Sequence, residues 1–258
     1  MIDTHAHLTD SDFDPDREEV IKRAKEAGVE KILCILIEFD ARGIEVFKKL
    51  LEQDFIFGAV GVHPHDAKDF EKYREKFLEL LGLPKVIAVG EIGLDYHYMN
   101  SPLTEPTSAA EVQQEVFKKQ LEIAKGRNLP AIIHCREAFP DYLSILKNSR
   151  VQEGIAHCFS GSENEAKEFL EMGFYISFAG PVTFKNAVNP KELIKKIPED
   201  RLLLETDCPY LAPQTFRGKR NEPAYIKYIY EEVANLRNIS EDKLKETISK
   251  NVFQVFRI

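Results

Sequence analysis

Short apolar runs alternate with longer charged segments of helical period along the whole of this 258-residue chain. Eight runs stand out: MIDTHAH (1–7), KILCILI (31–37), FIFGAVGV (55–62), KVIAVGE (85–91), PAIIHC (130–135), EGIAHCF (153–159), FYISFAG (174–180) and RLLLETD (201–207). Their length and β-branched content predict buried strands. The segments between them carry helix signals. DPDREEVIKRAKEAG places Asp14 as an N-cap, Pro15 at the first helical position and Gly28 as the stop. EVQQEVFKKQLEIAKGRNL predicts a second clear helix, and stretches over 222–237 and 240–250 close the chain. Strands alternating with amphipathic helices indicate parallel pairing. Eight such units predict a single-domain (β/α)8 TIM barrel over 1–258, with a doubly wound open sheet as the competitor.

The polar residues favour the barrel. His5, His7, Glu91, His134, His157 and Asp207 each lie at or near the C-terminal end of an apolar run. In a barrel those ends converge on one mouth, whereas an open sheet spreads them along an edge. His5 and His7 are two apart, so an extended strand points both imidazoles the same way. Neutral imidazoles gathered with carboxylates predict a divalent metal site, with histidine favouring transition metals. Two ions about 3.5–4 Å apart need a bridging ligand, and Glu91 is placed to bridge. Period two puts Glu205 on the same face as Asp207, where it binds substrate, holds a ligand or packs in the upper barrel layer.

Composition narrows the partners. The formal charge is −8 and the pI about 5.5, against the basic character usual in proteins that grip duplex DNA through many phosphates. No apolar run approaches the ~18 residues of a membrane span, and the N-terminus does not read as a secretory signal. Cys34, Cys135, Cys158 and Cys208 form no CxxC pair and read as reduced, small apolar residues facing away from the ligands, in a cytoplasmic protein. His63 and His65, in GVHPH, read equally well as groups around a site and as turn residues about Pro64, with His63 the stronger candidate; His97 falls in a probable loop. Arg217, Lys219 and Arg220, after the eighth run, form a basic cluster suited to phosphate. The amides of Ser160, Gly161 and Ser162, at a helix start, offer an anion site.

Taken in order, THAH, GVHPH, GEIGLDY, AIIHCRE, AHCFSGS, SFAGPVTFKNA, LLLETDCPYLAP and RGKRNEP resemble the TatD family of metal-dependent hydrolases, a branch of the amidohydrolase-like barrels. The resemblance extends to the closing NVFQVF. It implies deoxyribonuclease activity and two divalent ions (zinc, manganese or magnesium). One would be held by His5, His7, Glu91 and Asp207, the other by Glu91, His134 and His157. Asp207 would orient the attacking water and take its proton, and Arg220 would meet the phosphoryl group, with His63 and Glu205 as further substrate-side residues. The expected substrate is DNA or an oligonucleotide, not read by sequence, with no membrane and no obligate protein partner. Hydrolysis of a carboxylic ester or amide is the alternative. One departure is visible: MNSPLTEPTSAA (99–110) is longer than the family's usual link and is expected to overhang the mouth.

Overall fold

In the computed structural model, which describes residues 1–97, 109–149, 151 and 153–258, each of the eight apolar runs forms a parallel strand. They are β1 (Ile2–Ala6), β2 (Lys31–Leu36), β3 (Ile56–Val60), β4 (Val86–Asp95), β5 (Ala131–Arg136), β6 (Gly154–Ala156), β7 (Tyr175–Phe178) and β8 (Leu202–Leu204). Neighbours in sequence are neighbours in the sheet throughout. Closure between the first and last strands excludes the open sheet. Asp207 donates its amide to the His5 carbonyl at 2.9 Å and His7 donates to the Cys208 carbonyl at 2.8 Å. Below them, buried Asp3 accepts from the Thr206 amide (2.9 Å) and hydroxyl (2.6 Å), and the Thr4 hydroxyl donates to the Leu204 carbonyl (3.0 Å). Side chains thus complete a seam that the short β8 leaves without a regular ladder.

The helices are α1 (Arg17–Glu26), α2 (Ala41–Leu50), α3 (Phe70–Leu80), α4 (Ala110–Arg127), α5 (Phe139–Ser149), α6 (Glu163–Glu171), α7 (Val188–Ile194), α8 (Ile226–Arg237) and α9 (Glu241–Phe256). They bury apolar stripes such as Phe47 and Leu50, Phe77 and Leu80, and Val116, Phe117, Leu121 and Ala124. Burial of this kind stabilises by roughly 25 cal/mol per Å² of apolar surface. Caps set many of the ends. The Asp40 carboxylate accepts from the Gly43 amide, Ser240 accepts from Lys243, and Asn128 and Asn238 stop α4 and α8 in left-handed conformations.

Three local expectations need correction. Helix α1 begins two residues later than the Asp14–Pro15 signal implies, because a 3-10 turn (Ser11–Phe13) intervenes and Asp14 is held by Arg17 and Arg42. The last helix runs on to Phe256, since Val252, Val255 and Phe256 continue its buried face. The Ser162 amide at the start of α6 is not left for an anion. Ser162 and Glu165 form a capping box in which Glu165 Oε2 accepts from the Ser162 amide at 2.6 Å. Of the 99–110 segment, only Ala109 and Ala110, at the start of α4, lie among the described residues.

Candidate metal centre

Glu91 sits inside β4, and its two oxygens face two different groups. Glu91 Oε2 lies 3.4 Å from His5 Nε2 and 3.5 Å from His7 Nε2. Asp207 Oδ1 stands 3.7 and 3.4 Å from the same nitrogens, which are 3.1 Å apart. Four donors around a tetrahedral ion with bonds of ~2.0–2.1 Å have edges of about 3.3 Å, so these separations fit a divalent ion. Glu91 Oε1 faces the second group: His134 Nδ1 at 2.6 Å, His157 Nε2 at 2.8 Å and His63 Nε2 at 3.7 Å. His5 and His157 stack between the groups with ring centroids 4.0 Å apart. The six residues singled out at the strand ends therefore come together, as does His63.

The strands explain the convergence. Asp207 has left the strand path at φ +58, a left-handed conformation that Asp tolerates. Its backbone is held by the His5 carbonyl and by the Tyr210 amide, which donates to the Asp207 carbonyl at 3.0 Å. Gly93, at φ +149, lets β4 and β5 touch: a Cβ there would lie 1.9 Å from the His134 carbonyl oxygen. Two buried glutamines of α4 serve as surrogate strand partners. Gln120 accepts from the Val62 amide and donates to its carbonyl (2.8 and 2.9 Å), and Gln113 does the same for Asp95 (2.9 and 3.0 Å). They pin the strand ends that carry His63 and Asp95.

Asp95 escaped the sequence reading. It is 1% exposed, and Oδ2 meets His65 Nε2 at 2.9 Å and His134 Nε2 at 3.2 Å. Oδ1 accepts from the His97 amide. A carboxylate on the far nitrogen of an imidazole fixes its tautomer and rotation, so Asp95 orients His134 toward Glu91. Its signal was available: Glu91, Gly93 and Asp95 share one face by period two. Glu205 acts on His157 in the same way. It is fully buried, out of reach of substrate; Oε1 accepts from the Cys158 amide at 2.5 Å and faces His157 Nδ1 at 3.3 Å. Among the roles expected for Glu205, the geometry matches holding a ligand.

Electrostatics follow from packing opposite charges in a dry site. Burial alone would raise Glu91, but His157, His134 and His5 hold it far below the usual carboxylate range. Burial would lower His157, yet Glu91 and Glu205 push it well above the ordinary histidine value. Asp207 opposes its own desolvation through His7, His157 and His5 and is held down as a carboxylate. Among the described residues the Nδ1 atoms of His5 and His7 find no hydrogen-bond partner, so their polar contacts lie on the Nε2 side, where the donors gather.

Arg220 is engaged by Asp16 through both terminal nitrogens at 2.7 Å and donates to the Asp12 carbonyl, with its guanidinium over Phe13. A phosphate would have to displace that ion pair. Arg217 stacks over Phe184. All four cysteines are free; Cys34 and Cys208 are buried, while Cys135 and Cys158 are half-buried. A surface depression of about 940 Å³ between α1 and α2 is lined by charged side chains such as Lys22, Arg42 and Lys49, away from these imidazoles.

The model of the TatD-related DNases matches residues 2–257. The chain belongs to this family. Two relatives illustrate the likeness. The uncharacterized metal-dependent hydrolase YabD of Bacillus subtilis is 47% identical, covering 100% of this chain and 99% of its own length. The 3'-5' ssDNA/RNA exonuclease TatD of Pectobacterium carotovorum is 34% identical, with both chains covered in full. The crystal structure of YjjV, a TatD homologue from Escherichia coli, superposes with a TM-score of 0.86 at 32% identity, covering 100% of this chain and 98% of its own. The TatD chain described here is thus a metal-dependent hydrolase of the barrel type.

Proposed function

We propose that this TatD protein is a nuclease that hydrolyses phosphodiester bonds of single strands or strand ends, using two divalent ions and without reading sequence. One observation carries the reading: Glu91 offers each oxygen to a separate set of imidazoles, as a bridging carboxylate does. His5, His7, Glu91 and Asp207 would hold one ion; Glu91, His134 and His157 would hold the other, with His63 beside them. The ions would be zinc, manganese or magnesium, and they supply Lewis-acid activation of water and of a phosphoryl oxygen. The name borne by the Pectobacterium relative, an ssDNA/RNA exonuclease, supports a nucleic-acid substrate.

The chain's own groups then divide the work. Asp207 is the most open carboxylate of the centre, its side chain 12% exposed against 4% for Glu91. Held ionised, it orients the attacking water and takes its proton, returning it to the leaving oxygen. Glu205 and Asp95 keep His157 and His134 turned toward Glu91. No helix among the described residues is long and apolar enough to cross a membrane; the chain is assigned to the cytoplasm, with no obligate protein partner.

The test strips the protein with chelator and restores zinc, manganese or magnesium separately. Nucleotide release from a single-stranded oligonucleotide, labelled at either end, is followed beside a carboxyl ester. Metal-restored release is expected. Ester cleavage without nucleotide release would move the protein to another substrate class.

A further inference from the structure

A nuclease of net charge −8 needs a source of affinity for its strand. In the basic cluster after β8, Arg220 is already bound to Asp16. The approach to the centre carries Asp10 and Glu38 as well as Asp207, all of which raise the Tyr210 phenol after burial itself. The π-faces of the bases offer a source of affinity that needs no phosphate contact.

Tyr210 is fitted to take them. It is 51% exposed, one of the few large apolar side chains among the described residues that reach solvent. Its ring adjoins the buried ring of His7, with centroids 5.9 Å apart, so it stands beside the hydrolytic centre. The ring is also fixed. Its hydroxyl donates to Asp10 Oδ2 at 2.9 Å, its amide donates to the Asp207 carbonyl, and its own carbonyl accepts from Asn221 Nδ2 at 2.7 Å. The next residue, Leu211, packs its carbonyl on Gly180, where a Cβ would come within 1.8 Å. An exposed aromatic ring is held at both ends beside a centre that contains no other exposed aromatic among the described residues. A pre-set ring loses little entropy when a flat ligand stacks on it.

We infer that Tyr210 is the stacking platform for a nucleobase next to the scissile phosphodiester. This inference rests on the nuclease reading and adds a substrate subsite to it.

Two measurements test it. The sequence contains no tryptophan, so Tyr210→Trp introduces a single indole at the platform, excited apart from the tyrosines at the red edge of absorption. Saturable quenching by a short oligothymidylate is expected, with none by an abasic deoxyribose-phosphate strand of equal length. Equal responses to both strands, or no response to either, would overturn the inference without any reference to cleavage. In the second measurement, kcat/KM is compared for strands with bases throughout and strands abasic at both terminal nucleotides of the attacked end. The wild type should prefer the base-bearing strand by about 5- to 150-fold, as one stacked base provides. Tyr210→Phe should retain that preference and Tyr210→Ala should abolish it. An equal loss on both strands in Tyr210→Ala would refute stacking while leaving the nuclease reading intact. Absence of release from every strand by the wild type would refute the nuclease reading, and the quenching measurement would still decide on the platform.

Discussion

At Glu91 a single carboxylate faces five imidazoles, those of His5, His7, His63, His134 and His157, and the residues around it differ in how close they come to the chemistry. Asp207 is the least enclosed carboxylate of the centre and is held ionised, so it is the group to test for proton transfer. Asp207→Asn keeps the size of the side chain and should leave the fold and melting behaviour near wild type. Steady-state release of nucleotide should fall about 10²–10⁴-fold in kcat, the range for loss of a general base; an unaltered rate would remove Asp207 from that role. Asp95 acts one bond further out. Asp95→Asn presents an amide N–H where His134 Nε2 or His65 Nε2 now meets an oxygen. The Glu91–His134–His157 group should then bind zinc about 10–100-fold more weakly, as carboxylate partners of metal-bound histidine do. Competition with a chromophoric chelator measures this directly, and equal affinity in the two proteins would show that Asp95 is structural only.

On the scale of elements, β4 carries most of the site: Glu91, Gly93 and Asp95 alternate along one face. Gly93→Ala should lower stability by ~1–3 kcal/mol, because the new methyl overlaps the His134 carbonyl and the backbone conformation is one that glycine alone adopts easily. Denaturant unfolding measures the loss; a change within a few tenths of a kcal/mol would mean that β4 and β5 can separate freely. Elements were also where legibility varied. The eight strands could be read because each is largely buried on both faces and so forms a mainly apolar run, even where polar residues such as Asp3, His5 and Glu91 interrupt it. The start of α1 could not, because Asp14 offers the same capping chemistry as Asp16 and only the contacts with Arg17 and Arg42 decide between them. Gln113 and Gln120 look like ordinary polar helix positions until α4 is packed against the ends of β3 and β4.

Over the whole molecule, the acidic balance sets how a strand is bound. If base stacking and the metal centre provide the affinity, few counterions are released on binding. KM for an oligonucleotide should then rise less than about tenfold between 50 and 200 mM salt, against about 10³–10⁵ for a protein with 6–10 phosphate contacts. A steep salt dependence in initial-rate measurements would show that lysines and arginines hold the backbone after all. The sequence by itself determined the barrel, the family and the strand-end residues that gather as candidate ligands, because buried parallel strands force long apolar runs and a catalytic mouth places its polar residues at fixed positions on those runs. Tertiary structure alone decided how the residues outside that pattern were used. Arg220 pairs with Asp16, the Ser162 amide turns to Glu165, Glu205 and Asp95 each serve a histidine, and Tyr210 is fixed beside His7. The physical reason is that strand periodicity fixes which way a side chain points, whereas its hydrogen-bond partner comes from an element distant in sequence that is positioned only when the barrel closes.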